Sequence, residues 1–460
     1  MRQQPDKRYG CVALSMLMSL ITINAPPDAL ATDTATHPFI EQSKAGIVTR
    51  LATFHRFSPN FNQDGAGLGG WLYGTTGELA DTLSFGGAYY FVEPIHDPEN
   101  RRFNYVLKDP GQDGFGVLGE AYAKLRHGSH SATIGRQVLN FSWYMDDVHR
   151  VANKLDQSMV GRRDVRGMHP ITYEALTIQG RLANETLRYY VGYATSMKQI
   201  NDDRFRNFYQ GAFQTTVFPD EAKQGDADGM LFAGAIWKPE KNLMLTGSHH
   251  IVENLLNMSY ADIDYVHRLS EKRYLRLGTQ YMRQSSQGNA LITNGREFNT
   301  QYAGVYGETR LTPWLIPYGM AGLTSDAEEI RAPYSIGPSY LVQRVGENSK
   351  AGERTWIMGS VVDFGTWGAQ GLSFDLNYGQ RSQRHLAGSP EHGLPDWHEL
   401  AADLVYTLPQ EAKFFKNLRL RLRPAKVWEQ GEDWSRGSPV EVNRITNDVR
   451  IDATLNFPFR

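Results

Sequence analysis

From Val449 to Phe459 the chain reads V-R-I-D-A-T-L-N-F-P-F, with Val449, Ile451, Ala453, Leu455, Phe457 and Phe459 alternating with Arg450, Asp452, Thr454, Asn456 and Pro458. Every odd position is apolar, and every even one is charged, polar or proline. Period two is the mark of a strand whose two faces meet two different media. The run covers 11 residues, and a tilted strand crosses a bilayer in about 9–11. It ends in an aromatic, as the closing strand of a membrane barrel does where an aromatic girdle marks the interface. A sandwich in water also alternates, so the rest of the chain decides between the two.

Alternating segments recur at 45–57, 66–78, 81–93, 115–127, 130–138, 171–183, 186–198, 228–239, 242–250, 259–269, 272–284, 297–309, 313–323, 353–364, 371–382, 396–408, 416–428 and 444–459. Eighteen is an even number, as single-chain bacterial barrels require. Connections such as Glu78–Asp81, His127–His130 and Ala183–Thr186 are short turns, with Gly128 and Asn184 at positions suited to positive φ. The alternate connections are mostly long, notably 94–114, 139–170, 199–227 and 324–352. A soluble sandwich has no reason to segregate its loops in this way. The pattern predicts an all-β chain: a transmembrane antiparallel β-barrel of 18 strands, with short periplasmic turns and long extracellular loops.

Composition agrees. No window holds 18 consecutive apolar residues, which argues against a helical membrane protein, and the negative mean hydropathy suits a soluble protein and equally a barrel with lipid-facing and water-facing residues interleaved. A formal net charge of −2 gives no global field that would hold nucleic acid. Arg2, Lys7 and Arg8 precede a mostly apolar Cys11–Ile23, and Ala29-Leu30-Ala31 follows as a small-x-small site. Residues 1–31 are therefore expected to be a signal peptide for export, and 32–460 a single barrel domain. Cys11 is the only cysteine, so the mature chain would have neither disulfides nor thiolate metal sites.

The candidate chemistry is an arginine row. Leu418, Leu420 and Leu422 alternate with Arg419, Arg421 and Arg423. With the leucines toward lipid, all three guanidiniums enter the lumen, about 6.6–6.8 Å apart. Charges at that spacing can hand an anion from site to site, and the arginine fork suits carboxylates. Arg450, and with it Arg444, would join them, and closure of the sheet would add Arg50 and Arg56. The competing role is bracing, with each arginine paired to Asp403, Glu399 or Asp452 on a neighbouring strand. The connection 139–170 carries Asp146, Asp147, Arg150, Lys154, Asp156, Arg162, Arg163, Asp164 and Arg166. Folded inward, it would narrow the pore and oppose acids to the arginines; folded outward, it is a solvated loop. The segment 324–352, with Asp326, Glu328 and Glu329, is a second candidate for the constriction.

Catalytic patterns are thin. In Ser248-His249-His250 the adjacent serine and histidine point to opposite faces of a strand. Asp226-Ala227-Asp228 starts like a calcium loop but places Met230 and Trp237 where ligands belong. Gly65-Ala66-Gly67 has no helix behind it. No catalytic site, metal site or cofactor is expected.

The segments Ile134-Gly135-Arg136-Gln137-Val138-Leu139 and Asp164-Val165-Arg166-Gly167-Met168-His169-Pro170-Ile171-Thr172-Tyr173-Glu174-Ala175 resemble the OprD-type porins, substrate-specific outer-membrane channels. Gly114–Lys124 and the final N-D-V-R resemble the same family. The resemblance implies an eighteen-strand barrel, an inward third loop and a basic ladder passing small, often carboxylate-bearing solutes. Carried over residue by residue, Arg419, Arg421 and Arg423 match the ladder strand, and Arg136 the strand arginine near the constriction. Two departures stand out: Arg460 follows the terminal aromatic, and the third loop is unusually charged. The expected partners are outer-membrane lipid and lipopolysaccharide, the barrel assembly machinery through the C-terminal strand, and small solutes, with the chain a monomer or a homotrimer. The expected function is passive, selective diffusion across a Gram-negative outer membrane. The alternatives are a lipase-like barrel enzyme and a structural or adhesion barrel with a blocked lumen.

Overall fold

A computed structural model describes residues 38–459 except 60, 97–106, 108–112, 140–167, 215–226, 228, 332–340, 347–348, 410–414 and 416. The expected signal peptide, residues 1–31, lies outside these residues.

Eighteen antiparallel strands form one sheet that closes on itself. They are β1 (Lys44–Ser58), β2 (Phe61–Thr75), β3 (Leu83–His96), β4 (Phe115–His127), β5 (His130–Gln137), β6 (Thr172–Leu182), β7 (Leu187–Lys198), β8 (Met230–Glu240), β9 (Leu243–Val252), β10 (Leu256–Arg268), β11 (Tyr274–Ser286), β12 (Asn299–Arg310), β13 (Leu315–Thr324), β14 (Arg354–Asp363), β15 (Leu372–Ser382), β18 (Asp396–Thr407), β19 (Arg419–Asp433) and β20 (Val440–Pro458). A two-residue strand β16 (His385–Leu386) and β17 (Ser389–Gly393) make a separate hairpin between β15 and β18. Closure runs from Gly46↔Pro458 to Phe57↔Asn447, so the terminal strand that alternates most cleanly seals the cylinder against β1.

Burial follows the alternation. Along β19, Leu420 and Leu422 are exposed on the outside while Arg421 and Arg423 are buried within. Along β11, Leu275, Leu277 and Tyr281 face out, and Arg276, Gln280 and Met282 face in. With hydrocarbon outside, every strand backbone group must pair within the sheet, and closure leaves no edge strand.

Three boundaries differ from the alternation. β2 begins at Phe61, five residues before the alternating segment at 66, so β1 and β2 join through Pro59 and Asn60 alone. β19 runs on to Asp433, and β20 already starts at Val440. These extensions belong to external strand ends, where both faces meet water and period two has no cause.

The lumen is partly filled. Inward Tyr260, Met282, Tyr302, Tyr318, Met320 and Ile357 pack with Phe208, Ile330 and Leu341 from the long connections. A second cluster joins Phe54, Tyr90, Val92 and Phe115 to Leu107 and Met168. The barrel therefore holds packed loops on these walls.

Candidate functional site

The wall formed by β18, β19, β20 and β1 carries the charged row. In register, Arg421 lies opposite Asp452 and Arg423 opposite Arg450 on β20, while Ala52 and Arg56 of β1 lie opposite Asp452 and Asp448. Arg421 grips the Asp403 carboxylate through Nε at 2.8 and 3.0 Å and through Nη2. Arg423 bonds Asp452, whose other oxygen lies 3.6 Å from Arg50 Nη2. Arg450 donates to Asp448 through Nε at 3.0 Å and Nη2 at 3.1 Å, and Arg56 Nε adds a bond at 2.9 Å. The Arg450 guanidinium also lies 4.0 Å over the Phe54 ring, a stacking geometry that arginine tolerates because its charge is spread over a plane.

The bracing contacts weighed for these arginines are present. Arg50, Arg56, Arg421, Arg423 and Arg450 are each paired with Asp403, Asp448 or Asp452 and outnumber those three aspartates, with Arg419 at the foot of β19 and with Glu399 and Glu429 as further inward carboxylates of the same strands. Arg444, higher on β20, makes a closed pair with Glu429 at 2.5 Å through Nε and Nη2.

The connection between β13 and β14 adds a group that periodicity could not place. Arg344 Nε reaches to 3.9 Å from Asp448. Its neighbours are pinned to the wall: Val345 and Gly346 amides each donate to the Glu399 carboxylate at 2.8 Å, and Gln343 Nε2 donates to Asn377 Oδ1 at 2.9 Å. Arg381 Nη1 donates to Gln343 Oε1 at 3.0 Å, and its Nη2 to the Gly346 carbonyl at 2.9 Å. These bonds hold residues 343–346 of the second candidate loop against the inner wall beside the arginines. Charge-assisted bonds of this kind are worth about 1.5–3 kcal/mol each, so Glu399→Ala releases the loop. The expected result is a noisier open-channel current in planar bilayers; a trace as quiet as wild type counts against this pinning.

The same connection has an acid-sensitive anchor. Burial would raise the Glu329 carboxyl, but Lys350 Nζ at 2.5 Å and Arg331 Nη2 at 3.2 Å outweigh it and hold Glu329 below its ordinary range. A lowered carboxyl stabilises the folded form above the ordinary glutamate value, and that stability is lost as pH falls through the lowered one. Current noise is expected to rise below about pH 4, and Glu329→Gln to be noisy already at pH 7.

Arg136 is a correction. It shares a face with Ile134 and stands in register with Glu174, on the parity of exposed Leu176. It therefore points outward, bonded to Glu174 at 2.9 Å and lying 4.4 Å over Phe205. The reason is parity: Thr133 and Gln137 take the inner face of β5, leaving Ile134 and Arg136 the outer one. The third-loop residues Asp146, Asp147, Asp156, Arg163, Asp164 and Arg166 lie outside the described residues; the loop's returning end is inside the barrel, where His169 is fully buried and stacks on Tyr90 at 5.1 Å. Ser248 faces inward and His249 outward, where its Nδ1 sits 2.9 Å from Ser259 Oγ.

The family model for outer membrane porins of the OprD family matches residues 162–452. The chain belongs to the OprD family. It is an outer membrane porin of the Gram-negative envelope. Solved structures share the fold at low identity. Pseudomonas aeruginosa OpdK, solved with vanillate, is 19% identical, with a TM-score of 0.72 over 92% of this chain and 100% of that one. Acinetobacter baumannii OccAB1 is 14% identical with a TM-score of 0.74, over 94% of this chain and 100% of that one. A BenF-like porin from Pseudomonas fluorescens Pf-5 is 16% identical with a TM-score of 0.72, over 91% of this chain and 100% of that one. No curated protein sequence matches the chain.

Proposed function

We propose that this OprD-family porin passes small carboxylate-bearing solutes, anionic or zwitterionic, by passive diffusion along the wall of Arg419, Arg421, Arg423, Arg450 and Arg50. The observation that carries this reading is the surplus of guanidiniums over carboxylates on four adjoining strands. Arg421, Arg423, Arg450 and Arg50 are each paired with an aspartate and so are pre-organised, and an entering carboxylate exchanges bonds with a row in which no single site traps it. Arg56 and Arg344 extend the row upward, and the pinned loop 341–346 narrows the passage beside it. That OpdK was solved with vanillate, itself a carboxylate, supports the class without naming the solute.

Liposome swelling across carboxylates, amino acids and neutral sugars of matched size tests the proposal. Carboxylates are expected to enter several-fold faster than sugars of equal size. Equal rates for both would remove the selectivity and leave a general diffusion pore.

A further inference from the structure

The outer face of β9 to β12 carries a polar row where lipid contact should end. His249, Ser259, Arg283 and Gln301 stand in register across the four strands, all on the outside. Below them the same face is apolar, with Ile263, Leu275, Leu277, Tyr281 and Val305 exposed. Arg283 stands eight positions above Leu275 on β11. At about 3.3 Å per residue and a tilt near 40°, that is ~20 Å higher, close to the upper edge of an apolar band ~25 Å tall. A guanidinium there reaches out to the headgroup level along its aliphatic stem.

The groups of this row are held by neutral partners. Arg283 Nε donates to Asn299 Oδ1 at 3.2 Å, His249 pairs with Ser259, and Tyr281 donates to Gln301 Oε1 at 3.1 Å. Among the described residues no carboxylate lies within ion-pair distance of Arg283. The other side of the barrel differs. There the outer-face cations are matched by acids: His55 and His96 bracket Asp64 at 2.5 and 3.2 Å, and Arg136 is bonded to Glu174. On the β9–β12 face Arg283 instead meets the membrane edge with neutral partners beside it, in one row with His249.

The geometry points to a docking face for the phosphorylated headgroup of an outer-leaflet glycolipid, with Arg283 as the phosphate fork and His249, Asn299 and Gln301 as hydrogen-bonding neighbours. Such a lipid places phosphate at the height of the row and acyl chains on the leucines and tyrosine beneath it. This complementarity of charge above and apolar surface below favours a lipid over a protein partner. The site is outside the lumen and independent of solute passage.

The test is titration of the detergent-purified full barrel with bis-phosphorylated lipid A and with the same lipid dephosphorylated, followed by native mass spectrometry. Wild type is expected to prefer the phosphorylated form about tenfold, the worth of one charge-assisted contact. Arg283→Gln is expected to lose most of that preference, while His96→Gln on the acid-matched side keeps it. Both variants should retain the heat-modifiable gel shift of a folded barrel and wild-type conductance. No preference in wild type, or equal preference in wild type and Arg283→Gln, overturns the assignment; conductance reports separately on the lumen.

Discussion

Alanine at both Arg421 and Arg423 lowers the anion-to-cation permeability ratio about tenfold while the barrel still assembles. The two side chains supply adjacent rungs of the inner wall, and each is bonded to an aspartate, Asp403 or Asp452. Removing a guanidinium takes away one positive charge and also exposes the carboxylate it covered. A unit charge about 7 Å from a passing ion is worth roughly 0.6–2.4 kcal/mol between the dielectric of water and that of a protein surface. Two such changes of the same sign, about 1.2 kcal/mol at the lower end, amount to roughly a tenfold shift. The reversal potential under a salt gradient measures it directly, and the gel shift of the unheated protein checks assembly. A bracing role without transport predicts a different outcome: anion and cation currents falling together, or not at all.

Gly70→Val is expected to abolish assembly. Gly70 lies in the middle of β2, hydrogen-bonded between β1 and β3, with a φ of 138° that side chains rarely adopt. A Cβ built there would stand 1.8 Å from the Val48 carbonyl oxygen. Backbone strain of this kind costs about 1–3 kcal/mol before any clash, and here the obstacle is backbone on a paired strand, which cannot swing aside. The folded band on an unheated gel should vanish for Gly70→Val and persist for Gly74→Ala, whose nearest neighbour would be 3.7 Å away. A folded Gly70→Val would show that the β1–β2–β3 register differs from the one described.

These outcomes also mark what the sequence could carry. Leu418 to Arg423 and Val449 to Phe459 alternate because lipid and lumen differ, so strand identity, face and neighbour of Arg421, Arg423, Arg450 and Arg50 could all be read. Above the bilayer the two faces see the same water, and Phe61–Gly65 and Val440–Asn443 pair as strands without alternating. Arg136 was placed by resemblance, and resemblance gives no parity; counting inward residues from Thr133 would have put it outside. Gly135 of the same motif has a local reason: its φ is 119°, and a Cβ would meet the Ala121 carbonyl at 2.3 Å. Arg344 sits on a loop, where no period exists; only the acids nearby drew attention to that segment. The bonds that brace the row, such as Arg421 to Asp403, depend on side-chain reach across strands and on no sequence period.

A planar bilayer separating concentrated from dilute potassium acetate puts the anion-passing wall to its most direct test. A reversal potential whose sign shows acetate crossing faster than potassium, carried by discrete current steps, is the predicted result. Potassium crossing faster, or no steps at any voltage, would contradict it.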